Sequence, residues 1–293
     1  MIPQVRTVTR TKCKASIMIE GLSGSGKSGA AMAIAHGLCP DWSKVLGVDT
    51  ENNSLPLYHN LRLNTGDKVG EFKHASLLPE DGFKPSFYKA YQDWAIANDM
   101  QVVIQDSISH MWMYAGGVLT MVNEAQAADS RLNKYTAWGT KEVMAEKQLI
   151  MDLIRNAKLH IISTIRVKEK MELDKDDAGK TVMRSLGEQQ IGMPDLKYEP
   201  DLVITMVKAG QPDSHPIFKV QKSRYPFLIV GEQYELSPEL IEQLRLFLEE
   251  GADPEALLEQ QRLDYIAGIR EHLDTHPNHR EVWTIIKEQA GFK

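Results

Sequence analysis

Read for the spacing of apolar and polar positions, the chain alternates short apolar runs with amphipathic stretches through most of its length. Residues 15–20 (ASIMIE) form a β-rich run, and after Lys27 the stretch AAMAIAHGL has the small-residue texture of a helix lying against a sheet. Residues 44–49 (KVLGVD) read as a short buried strand, 86–97 as an amphipathic helix, 101–106 (QVVIQD) as a strand, 117–157 as helical with a break near Trp138, and 159–166 as a strand. Strands alternating with helices at this spacing predict an α/β fold with a mostly parallel, twisted sheet and helices on both faces.

From residue 168 to 197 the periodicity dissolves into closely mixed charges, which predicts a long loop without regular structure, of the kind that is functional or disordered. Residues 201–207 and 216–222 return to strand texture, joined by the turn-like AGQPDSH. After Gly231 capped helices take over. Ser237-Pro238-Glu239 opens one with Leu240, Ile241, Leu244, Phe247 and Leu248 on one face and Gly251 as its stop, and Asp253-Pro254-Glu255 opens the next. The expected organisation is a basic arm over 1–14, a core over 15–231 and a small helical C-terminal extension over 232–293.

Composition narrows this picture. A chain of 293 residues, 42% hydrophobic and 25% charged, can bury one full α/β core and leave about 60 residues for an appendage. Two cysteines, Cys13 and Cys39, make no disulfide framework, and the nine histidines form no zinc signature; His110 reads as structural or as a neighbour of a site entrance. The first residues carry charge without an apolar core, and no run reaches the roughly 18 apolar residues of a bilayer span, so a soluble cytoplasmic protein with no membrane partner is expected. The net charge of −6 is unevenly spread. Residues 232–264 hold ten acids against Arg245 and Arg262, whereas residues 1–14 hold Arg6, Arg10, Lys12 and Lys14 and no acid. That arm is either a solvated tail or a contact with DNA or a neighbouring subunit.

The chemistry begins at GLSGSGKS. Gly21, Gly26, Lys27 and Ser28 satisfy G-x-x-x-x-G-K-[ST] between a strand and a helix, and Ser23, Gly24, Ser25 and Gly29 complete the loop. Glycines keep side chains from blocking backbone N–H groups that wrap phosphates at a helix N-terminus. Lys27 would bridge the β and γ oxygens of ATP, and Ser28 would supply a Mg²⁺ ligand. Asp106, ending the strand VVIQD, is the expected acid for the metal, with Gln105 unusual at a normally apolar position. Glu51, just beyond the next strand at the same sheet edge, suits a carboxylate that deprotonates attacking water, which favours hydrolysis over transfer.

In order and spacing, the blocks GLSGSGKS, GVDTENNSL, VVIQDSIS, IISTIRVK, LKYEPDLVITMV and FKVQKSRYPF resemble the ATPase core of RecA-like recombinases over residues 15–231, and look closest to phage RecA-like ATPases associated with single-strand annealing. The resemblance implies an oligomeric ATPase acting on single-stranded DNA in recombination, annealing or replication. Glu51 then matches the water-activating glutamate and Asp106 the metal-assisting aspartate. Thr164 stands where recombinases carry the Gln or Asn that senses the γ-phosphate and relays it to DNA, a departure that weakens the expected coupling. The segment after Arg166 matches the second DNA loop by position, with Arg166, Lys168, Lys170 and Arg184 as its candidate DNA contacts. Lys222 and Arg224 match paired cations that reach a neighbour's ATP.

The residues support that last assignment separately, since alternate positions on an extended segment leave one face together and two cations aimed at one spot favour an anion. Such a contact is heterologous and builds a ring or a filament. DNA contact is expected to be weak in a monomer, because Glu169, Glu172, Asp174, Asp176 and Asp177 offset the nearby cations, and to grow in an assembly with steep salt dependence. Trp112 and Trp138 are either core or DNA-facing, Tyr198 lies near the loop's end, and the helices after Ser237 are either packing elements or a dock for a partner such as a single-strand-binding protein. Two other functions stay open: a nucleotide-gated assembly or partner-loading ATPase, and a small-molecule phosphotransferase.

Overall fold

The computed structural model describes residues 8–175, 181–210, 214–274 and 284, with backbone alone over 170–175, 181–186 and 270–274. In chain order the elements are β1 (Ser16–Gly21), α1 (Lys27–Leu38), β2 (Val45–Asp49), β3 (Lys73–Ser76), α2 (Pro85–Ala97), β4 (Val102–Asp106), α3 (His110–Met113), α4 (Val118–Ala128), α5 (Lys141–Ile154), β5 (His160–Lys175), β6 (Thr181–Gln190), β7 (Leu202–Lys208), β8 (Ile217–Ser223), β9 (Gln233–Glu235), α6 (Pro238–Glu249) and α7 (Pro254–Asp274). The sheet runs β3-β2-β4-β5-β1-β7-β8-β9, with β6 paired to β5 alone. Pairings from β3 through β7 are parallel, and β8 and β9 are antiparallel. The fold is therefore α/β with a mostly parallel sheet, as the alternation of apolar runs predicts.

Period-two alternation explains the layers. Ile17 and Ile19 of β1 and Val102 and Ile104 of β4 enter a core shared with α1 and α6, while Met18, Val103 and Ile161 enter a second core shared with α2 and α5. The parallel register then sets the active edge: Asp49 lies opposite Asp106, Gln105 opposite Ser163 and Gly21 opposite Arg166. Strands β2 and β4 thus end on paired aspartates, and Arg166 of β5 stands beside the glycine that ends β1.

The unusual Gln105 has a partner in this packing. Its Nε2 donates to the Leu153 carbonyl at 3.3 Å, and Gln92 donates to the same carbonyl at 2.7 Å. Two buried amides thereby satisfy a last-turn carbonyl of α5 that has no intrahelical partner.

Residues 168–197 depart from the expected structureless loop. β5 continues past the sheet to Lys175 and β6 returns antiparallel to Gln190, with a bulge between Glu169 and Met171. A ribbon paired on one edge needs no apolar alternation toward a core, so the pattern that marks buried strands is missing there.

The core also runs further than residue 231. Residues 14–248 form one compact unit, because β9 pairs with β8 and α6 buries Ile241, Leu244 and Leu248. Burying each such side chain stabilises by about 1.5–3 kcal/mol, enough to hold a 12-residue helix in the core. The second unit comprises the described parts of 1–13 and 249–293. Within it the described part of the basic arm is paired: Thr11 bridges Ala252, Lys12 N–H donates to the Ala252 carbonyl at 3.0 Å, and Arg10 meets the Glu250 carboxylate at 3.1 Å. Asp253 caps α7 by accepting from Glu255 N–H at 2.9 Å. Among the described residues no helix is long and apolar enough to cross a membrane.

Candidate active site

β1 ends at Gly21 and the chain turns through residues 22–26 into α1, whose first residue is Lys27. Gly24 and Gly26 have φ of 75° and 88°, a region that favours glycine. At position 26 a Cβ would also be tight, 3.3 Å from Ala209, while at Gly24 it would point into open space. Ser23 is exposed on the loop, and Gly29 lies under the Tyr58 hydroxyl, which an added Cβ would approach to 3.5 Å.

Lys27 is buried and its ammonium donates to the Leu22 carbonyl at 2.8 Å. Burial pulls its pKa below the usual lysine value, and the carboxylates of Glu51 and Asp106 pull it back up. Ser28 Oγ donates to Asp106 Oδ2 at 2.6 Å, and the Thr164 hydroxyl donates to Oδ1 of the same carboxylate. Asp106 is fully buried, and its carboxyl is held above the ordinary range by burial, against the pull of those two hydroxyls. An otherwise costly interior charge is thus kept ionisable by hydrogen bonds on both oxygens.

Glu51 is set by a turn that Asp49 organises. The Asp49 carboxylate accepts the N–H of Glu51 at 2.7 Å and of Leu55 at 2.8 Å, and Asn52 and Asn53 adopt φ of 56° and 60°, which asparagine tolerates. The Glu51 side chain meets Arg166, with Nε 2.9 Å from Oε1. Behind it Thr50 joins β2 to β4: its N–H donates to the Asp106 carbonyl at 2.7 Å, and its hydroxyl accepts from Ser107 N–H and lies 2.8 Å from His110 Nδ1. His110 is buried between Phe83 and Tyr114, and its pKa is pushed down to about 4, chiefly by burial and then by Arg166. Asp49, Thr50, Tyr58, Ser109 and Tyr114 carry no motif signal of their own, although Asp49 and Thr50 sit directly before Glu51.

Lys27, Ser28, Asp106, Thr164, Glu51 and Arg166 therefore gather at one edge. Lys222 and Arg224 do not join them. β8 runs antiparallel to β7, and Lys222 pairs with Val203 near the start of β7, so both cations lie at the opposite end of the parallel strands. Lys222 Nζ donates to the carbonyls of Tyr198 and Pro200 at 2.5 Å, and Arg224 meets Asp201 at 3.1 Å. Burial, then the Arg224 charge, lowers the Lys222 pKa.

Of the expected DNA contacts, Arg166 is engaged by Glu51, Lys168 is exposed at the root of the ribbon, and the side chains of Lys170 and Arg184 lie outside the described residues. Trp112 and Trp138 pack as a half-buried pair, ring centroids 5.8 Å apart, and line a groove of about 810 Å³ with Met144, Lys147 and Met193. Tyr198 is exposed, with the Lys197 ammonium 5.8 Å from its ring.

A family model described as an AAA domain matches residues 13–224. No curated protein matches the chain.

Proposed function

The chain belongs to the AAA domain family of P-loop ATPases, and from that premise we propose that it hydrolyses ATP at the edge formed by Lys27, Ser28, Asp106, Thr164 and Glu51, as an oligomer acting on single-stranded DNA. The observation that carries the catalytic part is the joining of Ser28 and Thr164 through the two oxygens of one buried carboxylate, Asp106, beside the Lys27 ammonium.

The residues fit a nucleotide with Mg²⁺. Ser25 Oγ is buried without a partner among the described residues, Gly24 leaves open space on the loop, and the oxygens of Ser28 and Asp106 are the hard donors that Mg²⁺ takes. When bound, Mg²⁺ supplies neutralisation of the phosphate oxygens, held by Ser28 with Asp106 behind it. The N–H groups at the start of α1 and the Lys27 ammonium orient and neutralise the phosphates. Glu51 takes a proton from a water whose oxygen attacks the terminal phosphorus as the P–O bond to ADP breaks. Thr164 keeps Asp106 in place through its hydroxyl.

The finer reading has separate support. The six ordered blocks resemble RecA-like recombinases, the β5–β6 ribbon springs from the strand that carries Thr164, and Lys222 and Arg224 occupy the sheet end that faces away from the chain's own loop. Cations placed there would serve the loop of a second copy in a head-to-tail assembly.

Steady-state ATP turnover, with and without a single-stranded oligonucleotide at two salt concentrations, tests the proposal. Hydrolysis stimulated by the oligonucleotide and weakened by salt is expected. Turnover indifferent to the oligonucleotide would remove DNA from the reading, and phosphate transferred to a metabolite in place of water would replace the reaction.

A further inference from the structure

Arg166 stands on β5 two residues past Thr164, where the sheet ends and the ribbon begins, paired by register with Gly21. Its backbone N–H donates to Ser109 Oγ at 2.9 Å, which fixes the residue at the active edge. Its guanidinium donates from Nε to Glu51 Oε1 at 2.9 Å, and a terminal nitrogen lies 3.3 Å from the Tyr114 hydroxyl. The two paired side chains are 33% and 27% exposed, so the pair is held by the fold yet reachable from outside.

We infer that Arg166 is a positioning residue that withholds the Glu51 carboxylate from water until a phosphate oxyanion draws the guanidinium away. The inference rests on Glu51 being the base proposed above. A carboxylate oxygen that accepts a charge-assisted hydrogen bond has that lone pair engaged and closed to a water. Guanidinium forms equally good paired bonds with phosphate, so an arriving phosphate is a direct competitor for it.

The position of Thr164 points the same way. Its hydroxyl is committed to Asp106 and its side chain is wholly buried, which leaves it without freedom to respond to a ligand. Arg166 influences the Lys27 ammonium electrostatically and has donors to spare. Two sources can supply the oxyanion: the terminal phosphate of ATP on the loop, or a phosphodiester of a single strand lying along the ribbon root.

The test compares the full-length protein with its Arg166→Ala, Arg166→Lys and Glu51→Gln variants in ATP turnover, with and without a single-stranded oligonucleotide. Side-chain Nε resonances of Arg166 are followed in parallel on adding a nonhydrolysable ATP analogue, ADP or the oligonucleotide. For Arg166→Ala, oligonucleotide-free kcat is expected to rise roughly fivefold, the scale of one broken half-buried ion pair, with KM changed less than about twofold and stimulation lost. Arg166→Lys keeps a cation against Glu51 and should retain a low basal rate. An Nε shift with the ATP analogue and not ADP assigns the release to the terminal phosphate; a shift with the oligonucleotide assigns it to the strand. Unchanged or reduced kcat in a folded Arg166→Ala protein, a raised KM as the main effect, or an Nε signal that no ligand moves would overturn the inference. Loss of turnover in Glu51→Gln is required by the parent reading, and its survival would reject that reading separately, whatever Arg166→Ala does.

Discussion

Ser28 and Asp106, 78 positions apart in the chain, are joined by a 2.6 Å hydrogen bond from the serine hydroxyl to the buried carboxylate. This bond ties the first turn of α1 to the end of β4, and the Thr164 hydroxyl extends the tie to β5. One helix and two strands at the loop therefore meet at one carboxyl group.

Asp106→Asn should separate function from stability. Removing a charge whose burial already pushes its carboxyl above the ordinary range relieves a desolvation cost, and the two hydroxyls can reorient toward an amide. Turnover is expected to fall by about 100-fold while the unfolding free energy holds or rises by about 1 kcal/mol. Turnover and thermal melting on the same preparation check this, and a strongly destabilised variant would show that the carboxylate serves the fold instead.

A site shared between copies predicts complementation. Lys27→Ala disables the loop, and a Lys222→Ala, Arg224→Ala double variant disables the distant cations, so each alone should be nearly inactive. In an equimolar mixture about a quarter of head-to-tail contacts pair an intact loop with intact cations, and about that share of activity should return. Mixtures as inactive as their components would leave Lys222 and Arg224 with their contacts inside the chain, to the carbonyls of Tyr198 and Pro200 and to Asp201.

The place of α6 in the core is testable at Gly37. A Cβ on Gly37 would lie 2.1 Å from Ile241 Cγ2, so α1 and α6 approach too closely for alanine. Gly37→Ala should cost about 1–3 kcal/mol by overpacking. Combined with Ile241→Ala, which vacates the same space, the total loss should be smaller than the sum of the two single losses. Denaturant unfolding of the four proteins supplies the comparison.

Acid sensitivity should trace in part to His160. Its Nδ1 accepts the Ala15 N–H at 3.0 Å, and burial, aided by the Lys14 charge, pushes its pKa down to about 3 from 6.5. The ring is therefore neutral when folded and protonates more readily when unfolded, so its contribution is full above pH 6.5 and is lost as pH falls toward 3. Between pH 7.5 and 5 this one group should remove about 2 kcal/mol. His160→Asn, which keeps an acceptor near Nδ1 without a titrating ring, should flatten that part of the profile by a similar amount in melts across the range.

The sequence alone determined what depends on local order: the glycine loop, the parallel strands, the caps at Ser237 and Asp253, and the residue types that make Lys27, Ser28, Asp106 and Glu51 candidates. These were legible because a buried strand must be apolar and a phosphate loop must be glycine-rich, whatever lies around them. The β5–β6 ribbon was hidden because backbone pairing without a buried face leaves no hydrophobic period to read. Gln105 takes its meaning from α5, which brings the Leu153 carbonyl to it, and α6 belongs to the core because Ile241 packs against Gly37. Most of all, the pairing of Glu51 with Arg166, 115 residues apart, depends on strand register, since only the sheet order β2-β4-β5 brings those two edges together. Which charge faces which is a property of that long-range packing, and no spacing along the chain encodes it.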